Sequence, residues 1–328
     1  MNRRIIPATI SAILCSGIII LLLTNFLIDP YIKETNLGAS LLDFYENNGE
    51  DNKIYIIGDS WAQWGFDAET IEKYLLENNQ SFKVYNLAAP GDSPKVRIVE
   101  LHNIAMSRPK IVVFCPHHQW FDTSYSGELF NFNPMLEDRF SLVADKIELD
   151  PYIYKESLLK RSELGLIQKN FPNLVAYKRR LLVPTLQQIL SRINLNEKIN
   201  FNFKVGYQPP STIGKPIESK FFQISKDDNN QKKSFIYMIN YLKSRGITVI
   251  VVTMPHASYY LRGMSNESKD NYLEFMNKTD CPEYSLATLC SDSEFAEWGH
   301  LNCYGRQNAT KALAEILLTE VRNINVTH

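Results

Sequence analysis

Residues 53–60 read KIYIIGDS and carry the clearest structural signal in the chain. The apolar, largely β-branched run at 54–57 ends in Gly58, as expected of a strand buried on both faces of a parallel sheet. Gly58, Asp59 and Ser60 then predict a tight turn at the carboxyl end of that strand. Because parallel sheets place their sites beyond the carboxyl ends of their strands, we expect Ser60 to lie at a functional edge.

Strands and helices alternate on either side of this turn. Apolar runs at 83–87, 110–115 and 247–253 predict three further strands. Helices are predicted after Asp67, after Ser93 and Pro94, before Gly246, and from Arg306 to about residue 324. Alternation of this kind predicts an α/β fold in which helices cover both faces of a parallel sheet.

The alternation stops between about residues 122 and 226. A stretch of this length is too long for a loop, so the sequence predicts an inserted helical subdomain, with helices near 154–169 and 174–193.

The first 29 residues predict a membrane anchor. Arg3 and Arg4 precede an apolar run at 5–28, which is long enough to cross a bilayer core of about 30 Å as a helix. The arginines favour a cytoplasmic N-terminus, which places residues 30–328 outside the membrane, in the cell envelope. The alternative is a cleaved signal peptide, whose apolar region is usually shorter, at about 7–15 residues.

Composition limits the remaining possibilities. The chain has 328 residues, 45% of them hydrophobic, and a net charge of −1, which argues against nucleic-acid binding by bulk electrostatics. Of five cysteines, Cys281 and Cys290 are close enough in sequence to form a disulfide, although two buried thiols are an equal alternative. Neither a metal nor an organic cofactor is implied.

Ser60 is the candidate nucleophile and His300 its candidate base. A serine hydroxyl needs an adjacent base at neutral pH, and a carboxylate commonly orients that base. His300 lies just before the last predicted helix, with Glu297 three residues upstream. The alternatives are that the Gly-Asp-Ser sequence is an ordinary turn and His300 an ordinary surface residue.

Three motifs together resemble the SGNH (GDSL-like) hydrolase family. IGDS at 57–60 is similar to its first block, NLAAPG at 86–91 to its second, and ExxHLN at 297–302, followed by Gly305, to its last. The resemblance implies a flavodoxin-like three-layer α/β/α fold without a cofactor. It also implies that Ser60 attacks an ester, His300 is the base, and Glu297 replaces the usual aspartate. Oxyanion donors would be Ser60 and Gly91.

The sequence departs from the family in its third block. That block normally ends in G-x-N-D, whose asparagine donates to the oxyanion, whereas this chain reads PHHQW at 116–120. Gln119 falls on the asparagine position and is the expected replacement donor, with His117 or His118 as alternatives. A polar loop without such a role is equally open. Asp59, His117, His118 and His256 are predicted to line the cleft, with an ordinary loop histidine as the alternative for His256.

An anchor followed by such a domain resembles the membrane-bound branch of the family, which includes DltD and the proteins of polysaccharide O-acetylation. The resemblance implies an acylated cell-surface polysaccharide as substrate and a membrane-bound acyltransferase as a candidate partner, with no nucleic acid. The alternative hypothesis is a catalytically inactive protein that binds glycan or organises envelope assembly.

Overall fold

A computed structural model describes residues 44–45, 49, 51–122, 203–204, 209–211, 223–297 and 299–326. The predicted anchor and nearly all of the predicted insertion lie outside these residues. Within the described part of the chain, no helix is both long and apolar enough to cross a membrane.

The described residues build one five-stranded parallel sheet in the order β2-β1-β3-β4-β5. This is the flavodoxin-like strand order that the resemblance implied. All strands are parallel, but the order in which the chain adds them to the sheet reverses between β1 and β3, and sheets of this kind carry their sites at that switch point. The strands are β1 Lys53–Gly58, β2 Lys83–Asn86, β3 Ile111–Cys115, β4 Thr248–Thr253 and β5 Glu283–Ser285.

Helices connect the strands. The short helices α3 and α4 are joined by a 3-10 turn at Ile98–Glu100, and two further 3-10 turns cover His118–Phe121 and Asp292–Glu294. The α-helices are α1 Ser60–Gly65, α2 Ala68–Glu77, α3 Pro94–Arg97, α4 Leu101–Met106, α5 Asn230–Lys243, α6 Ser258–Gly263, α7 Asn266–Asn277 and α8 Cys303–Val326.

The predicted local signals explain most of these elements. Strands β1 and β3 are buried along their whole length, as apolar runs in a parallel sheet should be. The carboxylate of Asp67 accepts the backbone N–H of Thr70 and caps α2. Beyond the end of α5, Gly246 has a φ of 73°, in the left-handed region that glycine tolerates.

Helix α3 begins at Pro94 with Ser93 at its N-cap position, as predicted, whereas α8 begins earlier than predicted. Ser93 makes no side-chain capping bond to α3, and its Oγ instead accepts a hydrogen bond from Gln231. Helix α8 begins at Cys303 rather than Arg306, because the side-chain oxygen of Asn302 accepts the N–H groups of Tyr304 and Gly305.

The four cysteines of the described residues are free thiols. Of the two alternatives for Cys281 and Cys290, the structure therefore has the unpaired form. Burial raises the pKa of the Cys281 thiol to about 11 and that of Cys290 to about 12, so both remain protonated at neutral pH.

Candidate active site

Ser60 is the first residue of α1, directly after the turn that ends β1. A Cβ atom at Gly58 would lie 2.6 Å from Cβ of Ala62. Glycine is therefore required at residue 58 for α1 to pack this closely against the end of β1. Asp59 caps the helix by accepting the backbone N–H of Trp61 at 2.9 Å. This turn therefore holds Ser60 at the carboxyl edge of the sheet.

The three predicted residues Ser60, His300 and Glu297 meet at this edge. Nε2 of His300 lies 2.7 Å from Oγ of Ser60, and Nδ1 of His300 is hydrogen-bonded to the carboxylate of Glu297. The side chain of His300 is 14% exposed and that of Glu297 is 46% exposed. The arrangement has the connectivity of a serine–histidine–carboxylate triad whose acid partly faces solvent.

His300 and Glu297 share one short loop before α8. Its ends are joined by an antiparallel bridge between Phe295 and Leu301, and the N–H of Ala296 donates to the carbonyl oxygen of His300 at 2.8 Å. The loop therefore presents the base and its carboxylate as one unit.

Sequence reasoning missed Trp64, whose ring centroid lies 4.5 Å from that of His300. Trp64 is half-buried and stands four residues after Ser60 in α1. Residues four apart share a helix face, so this spacing was a signal that the indole would lie on the same side as the serine.

The predicted oxyanion donors Gly91 and Gln119 lie in loops that follow β2 and β3, at the same edge of the sheet as Ser60. Gly91 is exposed and has a φ of 71°, which favours glycine. Gln119 lies in the 3-10 turn after β3 and is half-buried. Both loops therefore follow strands that pair directly with β1.

A buried ionic network fixes the loop that carries Gly91. Arg97 bonds Asp92 at 2.6 Å and Glu100 at 2.7 Å, and it donates to the carbonyl oxygen of Leu87 at 3.0 Å. Burial, with Glu100 adding to it, raises the pKa of Asp92 to about 7. Since Asp92 adjoins Gly91, the network fixes the backbone next to the predicted donor.

The four residues predicted to line the cleft are all buried: Asp59, His117, His118 and His256. They form two pairs. Nε2 of His117 lies 2.6 Å from Oδ2 of Asp59, and Nδ1 of His118 lies 2.9 Å from Nε2 of His256.

The His118–His256 pair lies among aromatic rings. The ring of Tyr272 is 4.2 Å from that of His118, and the ring of Tyr260 is 4.8 Å from that of His256. Burial lowers the pKa of His118 to about 3 and that of His256 well below its ordinary value. Both rings are therefore neutral at physiological pH, and one donates its N–H to the other.

In the described ranges, no cluster of three histidine, cysteine or carboxylate side chains has the arrangement of a metal site. The histidines near Ser60 are hydrogen-bonded instead: His300 to Glu297, His117 to Asp59, and His118 to His256.

No protein-family model matches the sequence, and a search of curated proteins gives no match. The solved structures to which the chain is similar include the following three. The psychrotrophic esterase EstA from Pseudoalteromonas sp. is 8% identical with a TM-score of 0.38, covering 83% of this chain and 100% of that one. A carbohydrate esterase family 3 protein from Talaromyces cellulolyticus is 9% identical with a TM-score of 0.38, covering 83% and 98%.

The third is the periplasmic domain of a lipopolysaccharide acetyltransferase from Salmonella ser. Paratyphi A. It is 10% identical with a TM-score of 0.38, and the match covers 90% of this chain and 97% of that one. At such identities and TM-scores these similarities are remote.

Proposed function

We propose that this protein is a serine esterase or O-acyltransferase that works through an acyl-Ser60 intermediate. The observation that carries the proposal is the hydrogen-bonded line from Ser60 through His300 to Glu297. A serine hydroxyl 2.7 Å from an imidazole nitrogen, with the other ring nitrogen bonded to a carboxylate, is an activated nucleophile.

In the first step, Oγ of Ser60 attacks the carbonyl carbon of an ester while Nε2 of His300 takes the hydroxyl proton. Glu297 accepts the Nδ1–H bond and stabilises the imidazolium that forms. The tetrahedral intermediate collapses when the bond to the alcohol breaks, and His300 returns its proton to the leaving oxygen. The alcohol departs and the acyl group remains on Ser60.

The negative oxygen of the intermediate needs donors. The proposed donors are the backbone N–H groups of Ser60 and Gly91 and the side-chain amide of Gln119. One such donor is typically worth about 2.7–4 kcal/mol of transition-state stabilisation. Support for Gln119 is its place after β3, where the family carries its asparagine.

In the second step an acceptor hydroxyl attacks the acyl-serine, with His300 again acting as base. Water as acceptor gives ester hydrolysis and releases a carboxylic acid, whereas a sugar hydroxyl gives a new ester. The same residues serve both outcomes.

The proposed substrate is an acylated, most simply acetylated, glycan of the cell envelope. The proposal includes an N-terminal membrane anchor, an extracytoplasmic catalytic domain, and a membrane-bound acyltransferase as partner. Its support is the apolar run at 5–28 behind Arg3 and Arg4, together with the sequence resemblance to the anchored branch of the SGNH family.

The test is covalent labelling of the full-length protein, purified in mild detergent, with a fluorophosphonate probe. Wild type, Ser60→Ala and His300→Ala are compared beside His102→Ala, which replaces an exposed histidine on α4. We expect labelling of wild type and the His102 variant and its loss in the other two. Acetyl-ester turnover, with mass spectrometry of added glycan, then separates hydrolysis from transfer.

A folded wild-type protein that neither labels nor turns over esters would reject the proposed enzyme. That outcome would favour the glycan-binding or assembly role instead.

A further inference from the structure

Asp59 has a second hydrogen-bond partner besides the helix that it caps. Its Oδ1 accepts the backbone N–H of Trp61, and its Oδ2 contacts Nε2 of His117 at 2.6 Å. The side chains are 7% exposed for Asp59 and 1% for His117. A carboxylate buried to this degree needs donors on both oxygens, and His117 supplies one of them.

The proton of this contact is on His117, since a carboxylate only accepts. The other ring nitrogen of His117, Nδ1, is enclosed and has no hydrogen-bond partner among the described residues. His117 is thus tied to the site through Nε2 and Asp59, and a ring nitrogen closed off from solvent is not placed to meet a substrate. Any effect of His117 on the reaction therefore passes through its neighbours.

The ring of His117 also supports the other half of the site. Trp61 stacks on it with ring centroids 4.4 Å apart and planes at 12°. Gly299 lies directly against the indole, because a Cβ atom there would be 2.3 Å from Trp61. Gly299 immediately precedes His300, so the indole is packed between His117 and the chain segment that carries the base.

From these contacts we infer that His117 is a positioning residue that holds the side chains of Ser60 and His300 in their relative positions. It fixes Ser60 through the carboxylate of the preceding residue and His300 through the Trp61–Gly299 contact. The inference rests on the proposed function, since it concerns the same Ser60–His300 pair. A misplacement of about 1 Å between reacting groups can cost about 100-fold in rate.

Two substitutions separate the functions of the His117 ring. His117→Phe keeps a flat ring for Trp61 but removes the donor to Asp59, whereas His117→Gln keeps an N–H donor at the position of Nε2 but removes the ring. Adding Asp59→Asn to His117→Phe removes the buried charge that needs the donor, which completes a double-mutant cycle. His102→Phe is the matched control on an exposed histidine.

All variants are made in the full-length protein, and kcat, KM and the rate of fluorophosphonate labelling are measured beside the thermal unfolding midpoint. We expect His117→Phe to lower kcat and labelling by about 10- to 100-fold with KM nearly unchanged. His117→Gln should recover part of that loss. In the cycle, the effects of the two substitutions should not add.

A folded His117→Phe protein that labels as fast as wild type would overturn the inference while the proposed function stands. Equal losses in the Phe and Gln variants with additive effects in the cycle would also overturn it. If His117→Phe does not fold, Asp59→Asn alone provides the test. Its amide oxygen can still accept the N–H of Trp61 and cap α1, but its amide N–H requires Nε2 of His117 to accept instead of donate. We expect slower labelling in this variant, and a wild-type labelling rate would overturn the inference. Wild type that does not label would reject the proposed function and this inference together.

Discussion

Nε2 of His300 lies within hydrogen-bonding distance of Oγ of Ser60, at 2.7 Å, although 240 residues separate the two in sequence. Ser60 lies at the start of α1, whereas His300 lies in the loop before α8. Their alignment is therefore a tertiary property, and it depends on how α1 packs against that loop.

Replacing Glu297 tests the acid of the triad. Glu297→Gln removes the charge that stabilises the imidazolium of His300, and we expect kcat to fall by about 10- to 100-fold. The loss should be smaller than the roughly 10⁴-fold effect known for a buried triad aspartate, because the Glu297 carboxylate is 46% exposed and partly solvated. Steady-state kinetics on an acetyl ester measures it, with Glu297→Asp as the charge-conserving control. An unchanged kcat in Glu297→Gln would remove Glu297 from the triad.

A methyl group at Gly299 should disturb the contact with Trp61. Its Cβ would lie 2.3 Å from the indole, so either the ring or the His300 loop has to move. We expect Gly299→Ala to cost about 1–3 kcal/mol of stability by overpacking, and to lower labelling of Ser60 by about tenfold or more.

Denaturant unfolding and labelling kinetics measure the two effects of Gly299→Ala. Gly49→Ala is the matched control, since Gly49 is exposed and a Cβ there meets no atom within 4 Å. If the Gly299 variant behaves like the Gly49 variant, the close contact is not needed for alignment.

The Asp92 carboxyl should make stability depend on pH near neutrality. Its pKa is about 7 in the folded protein against an ordinary 3.8, so between these values the folded state holds a proton that the unfolded state has lost. The free energy of unfolding therefore contains a part that falls as pH rises from about 4 to about 7, by at most about 1.4 kcal/mol per pH unit.

Asp92→Asn cannot titrate and should lack this slope. Urea unfolding of wild type and variant at several pH values between 4 and 8 gives the difference between them. Parallel curves over that range would show that Asp92 is ionised throughout.

The His118–His256 pair should have the opposite effect. The pKa of His118 is lowered to about 3 by burial, with His117 and Lys269 adding to it, so the unfolded state takes up a proton below pH 6.5 and the folded state does not. Stability should fall as pH drops from about 6.5 toward 3, by up to about 1.4 kcal/mol per pH unit for His118, and the lowered pKa of His256 acts in the same direction. His118→Gln should have a shallower slope in the same urea experiment, and an unchanged slope would contradict the assignment.

The sequence predicted the elements whose apolar pattern is continuous, such as β1, β3 and β4. Strand β5 was missed because Glu283–Ser285 is a three-residue edge strand with no apolar run. Helices α6 and α7 were missed although Ser265, which caps α7 by accepting the N–H of Ser268, is a recognisable start signal.

The residues of the Ser60–His300–Glu297 site were predicted because each lies in a short motif beside a strand end or helix start. The Asp59–His117 bond joins residues 58 positions apart, and the stacking of Trp61 on His117 is equally non-local. No periodicity or spacing reports such contacts, since they arise when the loops after β1 and β3 fold against each other.

The loop closed by the Phe295–Leu301 bridge has a chemical consequence. It holds His300 and the carboxylate of Glu297 in one short loop, and their hydrogen bond involves no atom of residue 60. A thiol at residue 60, or a small alcohol bound in place of the Ser60 hydroxyl, would lie next to the same nitrogen of His300. In the proposed enzyme, the hydrogen bond between His300 and Glu297 should therefore persist when the nucleophile is changed, for example in Ser60→Cys.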